Sequence, residues 1–340
     1  MVDALTGAGM MHVSGAIDSL LEVPTVSIVT PSYNQGRFTA ETIESVLGQE
    51  GEFELEYVVI DGASTDGTVE ILKEYEKRVS GGEWAGRCRG IRFHWVSERD
   101  RGQSDAIGKG FRMTGGQICS WLNSDDTILL GALGKVLETF RRNPEAGLVY
   151  GKVHFTDESG GAISEVETGQ TDYEGLASLN LICQPAAFFR RAAWDAAGGL
   201  DEELRYAMDH DLWIRMACRF PMVYRLEPLA TYRLHGESKT GAARHAVAFQ
   251  EETLRVIQSH YGRAPLNRVY GYSVRKVQEI FPVDWSEANP LVVAPSVIFT
   301  LWEYLRRNRG VRLEDIRMIR ACNLRKMFRE GIASRRGSRA

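Results

Sequence analysis

Apolar and polar positions alternate along the first half of the chain in two rhythms. The β-branched runs VSIVT (26–30), YVVID (57–61), IRFHWVSE (91–98) and QICSWLN (117–123) have the length and composition of strands. Between them TAETIESVLGQ, TVEILKEYEKRV and SDAIGKGFRM repeat with helical spacing, the first placing Ile43, Val46 and Leu47 on one face. Such alternation predicts an α/β fold built on a mostly parallel sheet with helices on both faces. From about residue 148 the pattern loosens. LVYGKVHFTDESGGAI and MVYRLEPLATYRLH read as further strands with mixed pairing, and DHDLWIRMACRF as an amphipathic helix. Beyond 243 the composition is helical. The expected organisation is a leader over 1–23, one α/β domain over 24–243 and a helical C-terminal region with a basic tail over 244–340.

In a sheet of this kind ligands bind outside the carboxyl ends of the strands. Each predicted strand ends in a polar turn: PSYNQG, DGASTDGT, ERDRGQSDA and NSDDT. One such turn is ordinary capping chemistry, but four on one edge point to a binding site. Asp66 reads mainly as a cap for the helix beginning near Thr68. Asp125 and Asp126 are adjacent carboxylates at the end of an apolar strand. They repel unless a cation is near, and a hard divalent ion sharing its shell with a substrate diphosphate is one remedy. The other reading has Asp126 capping a helix that begins near Leu129 while Asp125 faces water.

Composition narrows the classes. The 340 residues are 44% hydrophobic and 25% charged with a net charge of −4, which gives no bias toward nucleic acid. The charge is uneven: Arg306 to Ala340 carries 12 Lys+Arg against 3 Asp+Glu. On a helical wheel Leu313, Ile316, Leu324, Met327 and Phe328 gather on one side of this tail. That pattern fits a helix lying on an anionic membrane and equally one packed on the domain. Five dispersed cysteines without a CxxC pair suit a reducing compartment. No secretory signal is evident at the N-terminus, and the run PLVVAPSVIFTLWEYL falls short of a membrane span. The expected location is cytoplasmic, peripheral on the inner face of the membrane if the tail meets lipid.

Together TVSIVTPSYNQG, YVVIDGASTDGT, DRGQSDAIGKGF and ICSWLNSDD, in this order between about Pro24 and His235, resemble the family 2 glycosyltransferases of GT-A fold. The resemblance implies a nucleotide-diphospho-sugar donor, a glycan or lipid-linked acceptor, and Mg²⁺ or Mn²⁺. It places NSDD on the family's DxD motif, with Asn123 in the first position, Asp125 as the metal ligand and Asp126 as a weaker second. It sets Pro31, Ser32 and Tyr33 around the base, Asp61 at the base's polar edge, and Asp105 near the ribose and diphosphate. Gly108 stands where relatives carry Asn, and Lys109 reads as a helix-face lysine. In YAMDHDLWIRMA, which resembles the family's EDYDLW segment, Asp209 takes the place of the catalytic base and Met208 replaces Glu. His235 falls where relatives close over the metal, with Arg233 close by, and Gln184 and Arg190 match an acceptor-side segment. A sugar nucleotidyltransferase would want a Gly-rich basic loop after the first strand, which PSYNQGR is not. In a non-catalytic sugar-nucleotide binding module, Asp209 would only cap a helix.

Overall fold

The computed structural model describes residues 23–165, 168–236, 245–280, 290–308 and 310. Residues 1–22 of the expected 1–23 leader, and the tail positions Leu313, Ile316, Leu324, Met327 and Phe328, lie outside them. Each β-branched run forms the strand expected of it: β1 Thr25–Ser32, β2 Gly51–Asp61, β3 Cys88–Ser97 and β4 Ile118–Trp121. The intervening helices are α1 Gly36–Leu47, α2 Thr68–Ser80 and α3 Gln103–Arg112. All four strands are parallel, in the order β3-β2-β1-β4.

Alternation along the strands sorts side chains to two cores. Val26 and Ile28 of β1, with Tyr57 and Val59 of β2, meet Ile43, Val46 and Leu47 of α1 and Leu72 of α2. Val29, Val58 and Ile60 point the other way, onto Ile107 and Phe111 of α3. Helices on both faces follow from that period of two.

The second half completes a mixed nine-stranded sheet among the described residues. Its elements are β5 Thr127–Ile128, α4 Ala132–Arg142, β6 Leu148–Thr156, β7 Ala162–Glu165, α5 Tyr173–Ser178, β8 Ala187–Arg190, α6 Arg191–Ala197, α7 Met208–Ala217 and β9 Met222–Arg233. β8 joins β4 and β6 antiparallel, β6 runs parallel to β9, and β9 pairs antiparallel with the two-residue β5. No helix begins near Leu129. The chain first pairs as β5, and α4 starts at Ala132 after Gly131, whose φ of 76° is open to glycine at little cost. Asp126 is therefore not a helix cap.

Three helices follow: α8 Ala246–Tyr261, α9 Leu266–Ile280 and α10 Pro290–Asn308. α8 packs on α7, and α9 on both α8 and α10, around a cluster containing Leu254, Val269, Tyr272 and Tyr304. Among the described residues no helix is long and apolar enough to cross a membrane.

Candidate active site

The parallel register aligns Ser32, Asp61 and Ser97 across the carboxyl edge of the sheet. Beyond that edge opens a cleft of about 910 Å³. Pro31, Ser32, Tyr33, Asp105, Asn123, Asp125, Asp126 and Asp209 all line it, so most of the expected site residues converge although they span nearly 180 positions of sequence.

Asp61 and His235 are the exceptions, both buried behind the lining. Asp61 sits at the end of β2. It is fully buried, and its carboxylate accepts hydrogen bonds from Ser64 N (3.0 Å), Ser64 Oγ and Ser97 Oγ (2.6 Å). It does not line the cleft but pins the turn after β2. Within that turn Ala63 has φ 63°, a strained value for a residue with a Cβ, and Asn34 Oδ1 accepts from Thr65 N. Asp66 accepts from Thr68 N and Oγ1 and from Gly36 N, tying the starts of α1 and α2 together, while the N-cap position of α2 is Gly67.

Asp125 and Asp126 diverge. Asp126 turns inward and is buried, its Oδ1 accepting from Arg233 N at 2.9 Å and its Oδ2 facing Asn123 Nδ2 at 3.3 Å. Burial, reinforced by the neighbouring Asp125 charge, raises its pKa well above the usual carboxylate range despite those bonds. Asp125 faces the cleft, with its backbone oxygen accepting from Arg233 Nε at 3.0 Å. The cause of this split lies in the β5–β9 pairing. Thr127 sits opposite Thr231, so the residues before β5 meet those ending β9.

His235, carried just past β9, places Nε2 at 2.9 Å from Asp125 Oδ2, and Arg37 approaches Nδ1 at 3.3 Å. A guanidinium only donates, so Nδ1 accepts and Nε2–H donates to Asp125. In that tautomer His235 orients the carboxylate, and it can join a cation's shell through Nε2 only after losing that proton. Phe38 supports the arrangement, with His235 5.1 Å from its ring and the Arg37 and Arg233 guanidinium groups stacked at 4.5 and 4.8 Å.

Donors suited to a hard cation are therefore present, but few. Among the described residues no group of three or more His, Cys, Asp or Glu could hold a metal alone, so diphosphate and water oxygens would complete the shell. Two buried atoms of cleft-lining residues, Ser32 Oγ and Gln35 Oε1, have no hydrogen-bond partner, which is the condition of a wall built to meet a polar ligand. Asn123 Oδ1 accepts from Gln103 Nε2 at 2.6 Å, and its Nδ2 also reaches Gln184 Oε1 at 3.3 Å. Gln184 donates to Trp121 O at 2.6 Å, so the amide in the first position of NSDD belongs to a network that a carboxylate could not reproduce.

Asp105 lies in the first turn of α3. Burial alone would raise its pKa, but the backbone N–H and guanidinium of Arg101, with Lys109, hold it below the ordinary value. Lys109 pairs with Glu98 at 2.9 Å as well, the behaviour of a helix-face lysine. Arg190 departs from expectation: its guanidinium is buried against the Phe140 ring, donates to Ala146 O and Phe140 O, and does not line the cleft.

Asp209 lies in the first turn of α7 at the cleft wall, where its Oδ1 accepts from His210 N at 2.7 Å. It is not the N-cap, which is Ala207. The turn ahead of α7 is held instead by Glu252 of α8, whose Oε1 takes the N–H groups of Arg205, Tyr206 and Ala207 at 3.0, 2.5 and 2.7 Å. Asp211 is spent elsewhere, between His260 Nε2 (2.7 Å) and Arg215. Glu252 was invisible in the sequence because its three partners lie more than forty residues away in a different element.

The sequence model described as Glycosyl transferase family 2 matches residues 27–195, which hold β1 to β8 and the NSDD turn. The chain belongs to this family. Chondroitin synthase of Escherichia coli is 28% identical over 220 residues, 65% of this chain and 30% of that protein. The putative teichuronic acid biosynthesis glycosyltransferase TuaG of Bacillus subtilis is 35% identical over 116 residues, 34% of this chain and 41% of that one. The chain thus spans less than half the length of either relative. Among solved structures, S. aureus TarS 1-349 in complex with UDP-GlcNAc superposes with a TM-score of 0.56 at 15% identity, covering 92% of both chains. The mannosyltransferase PcManGT from Pyrobaculum calidifontis, in complex with GDP-Man and Mn²⁺, gives 0.54 at 17% identity over 93% of this chain and 85% of that one. At such identities the likeness establishes the fold, which is the expected GT-A α/β architecture with C-terminal helices.

Proposed function

We propose that this protein is an inverting glycosyltransferase that moves a sugar from a nucleotide-diphospho-sugar to a hydroxyl of a glycan or lipid-linked acceptor. The observation that carries the reading is the convergence of Asp125 and Asp209 on one cleft beyond the parallel strands, beside the unpartnered Ser32 Oγ and Gln35 Oε1. Pro31, Ser32 and Tyr33 bind the base, with Asp61 holding the turn beside them. Asp105 and Asn123 border the ribose and diphosphate. Asp125 would hold Mg²⁺ or Mn²⁺ with His235 beside it, and Asp126 fixes the turn behind. Such a cation, when bound, offsets the charge that develops on the departing diphosphate.

Asp209 takes the proton of the acceptor hydroxyl as its oxygen bonds to the sugar's C1, while the bond from C1 to the diphosphate oxygen breaks on the opposite face. One displacement inverts the anomeric centre. The relatives named for chondroitin and teichuronic acid synthesis favour a polysaccharide or cell-envelope glycan as acceptor.

The test is a thermal-shift panel of UDP-, GDP- and dTDP-sugars with Mn²⁺, followed by a transfer assay on the sugar that binds. Asp209→Asn should lower kcat by about 10²- to 10⁴-fold and leave the donor's thermal shift unchanged. Turnover that survives this change removes Asp209 from the base position. Absence of a shift with every nucleotide sugar removes the donor class.

A further inference from the structure

The last described helix carries a surface that the proposed reaction does not use. In α10 the side chains of Val297, Ile298, Leu301, Trp302 and Leu305 recur at helical spacing along a single arc, and all are exposed, Ile298 by 69% and Trp302 by 56%. The opposite arc is packed: Ser296, Thr300, Glu303 and Tyr304 are buried, and Phe299 stacks between Tyr272 and Trp302. Exposed apolar side chains elsewhere, such as Leu130 and Leu226, stand singly. A contiguous exposed stripe on a soluble face is a contact surface in want of a partner.

Charge says what kind of partner. The exposed arc has no ionisable side chain between 297 and 305. The helix's acid, Glu303, is turned inward and neutralised by Arg306 at 2.7 Å and Arg307 at 2.8 Å. Arg306 lies at the edge of the arc with its guanidinium 5.6 Å from the Trp302 ring. The sequence that follows, 309–340, adds ten Lys+Arg against three Asp+Glu. Two copies meeting through this face would bring two such cationic segments together. An apolar stripe with an interfacial tryptophan, flanked by positive charge, instead suits an anionic lipid surface.

We propose that the Val297–Leu305 face of α10 is a membrane-docking surface that seats the protein on anionic phospholipid. The face is fastened to the reaction cleft. Arg307 bonds Gln258 of α8 at 3.0 Å, and Glu252, two turns earlier in α8, holds residues 205–207 ahead of Asp209. Docking would therefore hold the cleft at a fixed height above the bilayer, which, on the proposed function, is where a lipid-linked acceptor is found.

The test is flotation of the full chain with phosphatidylcholine vesicles containing about 30% phosphatidylglycerol, against pure phosphatidylcholine, at low and high salt. Wild type should float with the anionic vesicles and be released by salt. The Leu301→Ser/Trp302→Ser variant should bind at least about tenfold more weakly while its circular dichroism spectrum and cooperative unfolding persist, because both side chains are half or more exposed. Wild type that ignores the vesicles, or a variant that binds as well as wild type, overturns the proposal. So does a wild-type dimer in sedimentation that this variant converts to monomer, since a second copy then covers the face. Lipid binding is read without sugar transfer: a chain that floats yet transfers nothing keeps this surface and loses the proposed function, and one that transfers without floating does the reverse.

Discussion

His235 Nε2 stands 2.9 Å from Asp125 Oδ2, held there by the antiparallel seam that joins the strand after NSDD to the strand before His235. The carboxylate that faces the cleft is thereby aimed before any ligand arrives. Preorganised carboxylates of this kind lose less on binding a cation, because their orientation is already fixed.

Removing the two partners should therefore have unequal effects. Asp125→Ala is expected to abolish the extra thermal shift that Mn²⁺ gives a nucleotide diphosphate over chelator. His235→Asn should weaken the metal's apparent affinity by about 10- to 100-fold and leave a measurable shift at high metal. Equal shifts with metal and with chelator in wild type would remove the cation from the site.

Glu252 is expected to act as a positioning residue for Asp209. Glu252→Ala strands three N–H groups ahead of α7 and should cost about 1–3 kcal/mol of stability. The diagnostic readout is kinetic: kcat for transfer falls while the donor KM holds, and Glu252→Gln, which keeps one acceptor oxygen, restores most of both. A stability loss with kcat unchanged would reduce Glu252 to scaffolding.

The strands and helices of the first half were legible because each is a local pattern. Period two sorted Ile28 from Val29, and helical spacing placed Ile43, Val46 and Leu47 in one core. The convergence of Pro31, Asp105, Asn123 and Asp125 was legible for a topological reason, since carboxyl ends of parallel strands share an edge, whereas Asp209, on a helix, was placed there by the family resemblance alone. What escaped the sequence depends on pairings between distant segments. A two-residue strand such as β5 has no periodicity to read, so the inward turn of Asp126 and the start of α4 at Ala132 were not visible. Asp61 and Arg190 both end strands, and only the structure shows which hydrogen bonds each makes, Asp61 with Ser64 and Ser97 and Arg190 with Ala146 O and Phe140 O.

Stability should fall on the acid side through His210. Burial, with the nearby Arg268 charge adding to it, drops its pKa from 6.5 to about 3, and its Nε2 lies 2.8 Å from Leu176 O, a bond that the neutral ring donates. The unfolded chain takes up a proton below about pH 6.5, whereas the folded one resists until about pH 3. The stabilising effect is complete above pH 6.5 and is lost as pH falls, at about 1.4 kcal/mol per unit between the two values. His210→Gln has no such proton to take up. Denaturant midpoints of wild type should drop more steeply than those of the variant between pH 7 and 4.5, and parallel slopes would show that His210 is already charged in the fold.

The two glycines of GKGF should respond in opposite directions. A Cβ on Gly110 would lie 2.3 Å from Val29 Cγ1, because α3 crosses β1 there with no room for a methyl group. Both elements are fixed by the sheet, so Gly110→Ala should cost about 1–3 kcal/mol through forced displacement. At Gly108 the nearest atom to an added Cβ is Arg112 NH1 at 3.3 Å, the far end of a flexible side chain. Replacing glycine in mid-helix by alanine gains roughly 0.5–1 kcal/mol, so Gly108→Ala should raise Tm. Chemical denaturation of the two variants reads both effects. A Gly110→Ala protein as stable as wild type would mean that α3 can lift from β1, and with it Asp105 from the rim of the cleft.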